Sequence, residues 1–122
     1  MKKIFYYTDV LPFLARGDDA VDKLKRNLVI FKETSENIRL VWHPFSRTEE
    51  FLRMNKASVT DEYMSIVLQY KKEGWGDFDT AKGLDKTKEI LFKCDAYYGD
   101  VSDLTYEAQN AKMPVMLQNI DC

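Results

Sequence analysis

The sequence holds a single histidine, His43, and only two cysteines, Cys94 and Cys122, among its 122 residues. No CxxC or Cys/His spacing is present, so a structural zinc site lacks ligands and reduced thiols in a cytosol are expected. Long apolar runs are missing as well. "IFYYTDVLP" behind the basic "MKK" is too short and too polar for the core of a signal peptide, and no stretch approaches a membrane span. The expectation is a soluble, cytoplasmic chain with no integral membrane segment. An excess of positive charge is absent too: 18 basic residues stand among 20 acidic ones, leaving no electrostatic footprint for nucleic acid.

What is there is enough apolar material for one core. At 45% hydrophobic and 13% aromatic, the chain fits one globular domain spanning 1–122. No repeat, low-complexity tract or long linker divides it.

"KIFYYTDV" is an aromatic and β-branched run that ends at Leu11-Pro12, as a strand leaving its sheet does. Val21, Leu24, Leu28 and Phe31 then recur at helical spacing, with Asp18 or Asp19 available as a cap. "IRLVW" reads as a second strand stopped by His43-Pro44, because the residue before proline avoids the helical region. Ser46-x-x-Glu49 has the form of a capping box opening a helix over "RTEEFLRMN". Thr60 is a plausible cap for the next helix, with Tyr63, Met64, Val67 and Leu68 on one face and Gly74 at its end. A brief strand in "WGDFDT", a helix in "LDKTKEILFKC", a strand in "DAYYGD", a helix in "DLTYEAQNAK" ahead of Pro114 and a closing strand "VMLQNI" complete the pattern. Such alternation implies right-handed crossovers. The fold class is α/β, a three-layer Rossmann-like domain with a mostly parallel sheet of about five strands.

In open parallel sheets, ligands bind beyond the carboxyl ends of the strands, near the switch in strand order. Those ends here are Thr8-Asp9, Trp42-His43, Asp77 to Thr80, Tyr98 to Ser102 and Gln118-Asn119. At Gly99-Asp100-Val101-Ser102 the glycine permits a tight turn, and the following helix offers free amides and a positive dipole end to a phosphate, with Ser102 adding a hydroxyl. The competing reading is that Asp100 or Ser102 only caps its own helix. His43 at a strand end is a candidate acid, base or phosphate contact, against the plainer role of a satisfied structural histidine. Alternation sends Tyr97 and Tyr98 to opposite faces, so one belongs to the core and only the other can reach a ligand. Cys94, beside an apolar run, reads as a buried inert thiol.

"EGWGDFDT" and "LDKTKEILFKCDAYYGDVSDLTYEAQNAKMPVMLQNI" resemble the C-terminal segment of bacterial proteins related to CDP-glycerol glycerophosphotransferases, which often read W-x-P-H-P, then E-G-W, then D-A-Y-Y-G-D-x-S-S and G-K-P-V-M-x-Q-N. "KIFYYTDV" and "LVWHP" fall in matching order, so the resemblance covers most of the chain. The string D-A-Y-Y-G-D is its specific part. The resemblance implies a GT-B architecture in which a C-terminal Rossmann-like half binds a nucleotide-diphosphate donor, CDP-glycerol or a nucleotide sugar. A separate N-terminal domain binds the acceptor.

This chain would then be the donor half of a transferase of cell-surface polymer assembly, cytoplasmic or peripheral at the inner face of the membrane as part of a larger protein. By motif match, Tyr98, Gly99, Asp100, Ser102 and Asp103 lie at the donor phosphates, Thr8 faces the domain cleft, and His43 is the acid or base. The arrangement calls for no cofactor and no metal. Two positions depart from the pattern: Asp103 replaces the second serine, and Phe45 stands where a gapless alignment puts the histidine of W-x-P-H-P.

"DVSDLTYEAQNAKMPVML" is also similar to the end of nucleoside deoxyribosyltransferase-like folds, which would make Glu107 the nucleophile. A third reading is a non-catalytic Rossmann-like interaction module that pairs with another domain or, as a homodimer, with a second copy.

Overall fold

A computed structural model describes residues 1–118. Five strands, β1 (Lys2–Thr8), β2 (Ile38–Pro44), β3 (Asp77–Phe78), β4 (Ala96–Gly99) and β5 (Val115–Leu117), form one sheet in the order β3-β2-β1-β4-β5. Every pairing is parallel. Six helices connect them: α1 (Leu11–Arg16), α2 (Asp18–Glu33), α3 (Thr48–Asn55), α4 (Ala57–Glu73), α5 (Leu84–Leu91) and α6 (Asp103–Asn110).

Strand alternation divides the core into two layers. Tyr6, Leu40 and Trp42 point to the side covered by α1 to α4, where they meet Phe13, Val21, Leu24, Leu52, Tyr63 and Tyr70. Phe5, Tyr7, Val41 and Tyr97 point to the other side, against Leu91, Leu104 and Ala108 of α5 and α6. The chain is a three-layer Rossmann-like α/β domain, and its sheet is parallel throughout rather than mostly so. The strand order reverses between β1 and β4, which puts the switch point there.

Helix starts depart from the expectations. The first strand ends ahead of Leu11-Pro12 as expected, and these residues open a further helix, α1, because proline is tolerated in a first helical turn where its missing N–H has no partner to lose. Asp18 and Asp19 lie inside the first turn of α2 behind Gly17, whose φ of 54° turns the chain between α1 and α2, and neither caps it. The Ser46/Glu49 capping box does not form: α3 begins at Thr48, whose hydroxyl donates to the Phe45 carbonyl at 2.6 Å, while Glu49 pairs with Arg53. Thr60 is interior to α4 and donates back to the Lys56 carbonyl. Strand β2 runs on through His43 and Pro44, and the next amide, Phe45, donates to the Thr8 carbonyl at 2.8 Å.

Gly74 ends α4 in the left-handed region, as its position predicts. The closing strand covers Val115–Leu117, and the remainder of the expected run beyond Gln118, like Cys122, lies outside the described residues.

Candidate functional site

Two hollows at the carboxyl edge of the sheet, one on each face, take Thr8, Asp100, His43, Ser102 and Asp103, and strand parity decides which residue enters which; a third, of about 290 Å³ against α3 and α4, takes none of these five. Thr8 and Asp100 follow Tyr6 and Tyr98 to the α1-to-α4 side, whereas His43 follows Val41 to the other. The candidate residues therefore do not converge on one point.

On the first face, Thr8, Arg16, Lys23, Asp100 and Gln118 line a depression of about 40 Å³ at the switch point. It has room for a water or two, far below the ~300 Å³ at which small-molecule sites begin. The protein's own groups fill the crevice. Asp100 is 5% exposed. Its Oδ2 accepts from the Asp9 amide at 2.8 Å and its Oδ1 from Gln118 Nε2 at 2.7 Å. Asn27 Nδ2 extends this chain by donating to Gln118 Oε1 and to the Tyr6 hydroxyl. Burial pushes the Asp100 carboxyl above its ordinary value, and the two hydrogen bonds oppose that shift. Thr8 Oγ1 accepts from the Trp42 indole at 3.0 Å in the core. Both residues hold strand ends together.

On the second face, Tyr7, His43, Ser46, Lys82, Gly83, Thr87, Ser102 and Asp103 line a hollow of about 210 Å³. His43 stacks on Phe5 and Tyr7, with ring centroids 5.5 and 6.1 Å away. Its Nδ1 lies 2.7 Å from Asp79 Oδ2. No buried polar side-chain atom among the described residues lacks a partner, and Nδ1 is the only ring nitrogen with a hydrogen bond, so Nε2 reaches solvent. Helix α6 opens onto the same hollow. Ser102 is its N-cap, its Oγ accepting from the Leu104 amide at 3.1 Å while the Ser102 amide donates to Thr105 Oγ1 at 3.0 Å. The capping role named in the sequence thus falls to Ser102, and the amide of Asp103, in the first turn, has no hydrogen bond among the described residues.

Gly99 serves backbone approach between β4 and β1. Tyr97 is the core member of the tyrosine pair, its hydroxyl donating to the Asp100 carbonyl. Tyr98 packs on Tyr6 and Phe31 and lines an apolar depression between α2 and β5, away from both hollows. Glu107 lies on α6 at 4.0 Å from Lys88 of α5, away from both hollows. Cys94 is buried, and that burial pushes its thiol up to about 11, as an inert thiol requires.

Two residues at or beside the second hollow were not singled out in the sequence: Lys82, which lines it, and Asp79, which lies against His43 and was read only as part of the strand end Asp77 to Thr80. Lys82 had no signal beyond its charge. Asp79 had only its place at a strand end: its contact with His43 follows from the β2/β3 register, which pairs Trp42 with Phe78 and so sets the next residues, His43 and Asp79, side by side.

Among the described residues, no group of three or more His, Cys, Asp or Glu side chains could hold a metal ion, and no helix is long and apolar enough to cross a membrane. The fold and its edge define a Rossmann-like domain with an imidazole at the carboxyl ends of its strands. No protein-family model, curated protein or solved structure matches this chain.

Proposed function

We propose that the chain is the nucleotide-diphosphate donor-binding domain of a glycosyltransferase-like or CDP-glycerol glycerophosphotransferase-like protein of cell-surface polymer assembly, working in the cytoplasm or at the inner face of the membrane. One observation carries the reading: the solvent-reaching Nε2 of His43 shares its hollow with the start of α6, at the carboxyl edge of a parallel sheet. The D-A-Y-Y-G-D string leading into that helix supports it.

In this reading the diphosphate lies between Lys82 and the first turn of α6, where a cation and the helix dipole offset its charge. An acceptor hydroxyl gives its proton to His43 Nε2 as its oxygen bonds to the transferred phosphorus or sugar carbon. The bond to the nucleotide phosphate breaks, and the electron pair leaves with the nucleotide. Thr8 and Asp100, turned to the opposite face, are then supports of the site and not contacts. The hollow's ~210 Å³ falls short of a full ligand site, as expected of a half-site that a second domain completes.

The test is calorimetric titration of CDP, CMP, UDP and CDP-glycerol into the chain and into Lys82→Ala, a change at an exposed loop residue. Saturable binding, tighter for CDP than for CMP and weakened about tenfold by Lys82→Ala, is the expected result. Absence of binding at millimolar nucleotide overturns it. Appreciable transfer by this chain alone would sink the half-site account. Exposed Ile30 and Met116 near the apolar depression between α2 and β5 favour the interaction module as the second reading, for which concentration-dependent self-association without nucleotide binding is the signature.

A further inference from the structure

The partner of His43 Nδ1 is a carboxylate whose position the sheet fixes. Asp79 follows the last residue of β3, and its amide continues the sheet by donating to the Trp42 carbonyl at 2.9 Å. That bond fixes the Asp79 backbone against β2 one residue before His43. Its two side-chain oxygens then divide their work: Oδ1 accepts from the Ala81 amide at 3.0 Å, and Oδ2 faces His43 Nδ1 at 2.7 Å. Both side chains are largely buried, at 7% and 13% exposure. Stacking on Phe5 and Tyr7 restricts the imidazole.

An ionised carboxylate only accepts hydrogen bonds, so the proton in this contact sits on Nδ1. Neutral imidazole carries one N–H, which leaves Nε2 bare. We infer that Asp79 is the positioning residue of this site: it holds the Nδ1 proton of His43 and leaves Nε2 as the proton-accepting nitrogen facing the hollow. The inference deepens the proposed function and rests on it for its catalytic meaning, but the tautomer itself exists without a nucleotide. The same carboxylate accepts from the Ala81 amide, next in the chain to Lys82, so it also ties down the loop that borders the hollow.

Asparagine at position 79 discriminates this role from a merely structural one. Its carbonyl oxygen can keep the Ala81 amide, which turns its NH2 group toward His43 Nδ1. A donor there forces the imidazole proton onto Nε2.

The experiment is nitrogen-15 NMR of the His43 ring in the nucleotide-free chain at about pH 8, where an ordinary histidine is neutral. The expected wild-type spectrum shows a protonated Nδ1 and a bare Nε2, and Asp79→Asn inverts the two. A wild-type ring protonated at Nε2, or one whose tautomer Asp79→Asn leaves unchanged, overturns the inference. The wild-type spectrum decides even where the variant does not fold. With the expected tautomer but no nucleotide binding, the donor-domain reading fails while the positioning of His43 stands; with nucleotide binding and the wrong tautomer, the reverse holds.

Discussion

Gly99 and Tyr7 meet backbone to backbone: a β-carbon built on Gly99 would lie 2.0 Å from the Tyr7 carbonyl oxygen. The φ of Gly99 is 135°, a conformation that side chains rarely adopt. Both facts sit where β4 packs on β1, at the switch point of the sheet. Gly99→Ala is therefore expected to cost about 3 kcal/mol or more, since strain and a clash with backbone add. Urea unfolding checks it, and a midpoint close to wild type would show that the strands can part without penalty.

Thr8 and Trp42 form a second buried tie between neighbouring strands. Thr8→Val keeps the shape of the side chain but leaves the Trp42 indole N–H, which donates to Thr8 Oγ1, buried and unpaired. The expected loss is about 1–3 kcal/mol of stability. Nucleotide affinity measured well below the unfolding transition should stay at the wild-type value, because Thr8 lies on the face opposite His43. A tenfold loss of affinity in a fully folded variant would put Thr8 back at the ligand.

These two residues show how far the sequence carries. Strand and helix identity was legible from periodicity, because burial on one or both faces leaves a mark every two or every 3.6 residues. Helix starts were not. Thr60 and Ser46 have the chemistry of caps, yet the chain enters α4 at Ala57 and α3 at Thr48, where packing of Leu52, Val59 and Tyr63 sets the boundary. The edge cluster was legible as an edge, but its division between faces follows from alternation, from Val41 to His43 within β2 and from Tyr98 to Asp100 one residue past the end of β4. The contact of His43 with Asp79 needs the β2/β3 register, which a strand as short as Asp77–Phe78 does not announce.

Asp100 predicts a pH dependence whose sign can be worked out. Burial raises its folded-state value above that of the unfolded chain. As pH rises, the unfolded chain releases this proton first, so between the two values the folded state binds more protons and stability falls. Asp100→Asn removes the titration. The stability of wild type relative to Asp100→Asn should therefore decline from about pH 4 upward, measured by urea unfolding at several pH values. A constant difference, or one that moves the other way, contradicts the burial argument.

Ser102 is the residue at which the capping role and the phosphate role can be separated. Ser102→Ala confounds them, since removing the cap of α6 costs about 1 kcal/mol by itself. Ser102→Asp does not, because aspartate caps helices about as well as serine and can still accept from the Leu104 amide. It adds a negative charge at the first turn of α6, a few ångströms from where the donor diphosphate is proposed to lie. The expected outcome is an unfolding midpoint within about half a kcal/mol of wild type, together with CDP binding weakened tenfold or more, about 1.4 kcal/mol. Undiminished CDP affinity in a folded Ser102→Asp variant would mean that the diphosphate does not sit at α6, and the helix would keep its cap as its only use for that serine.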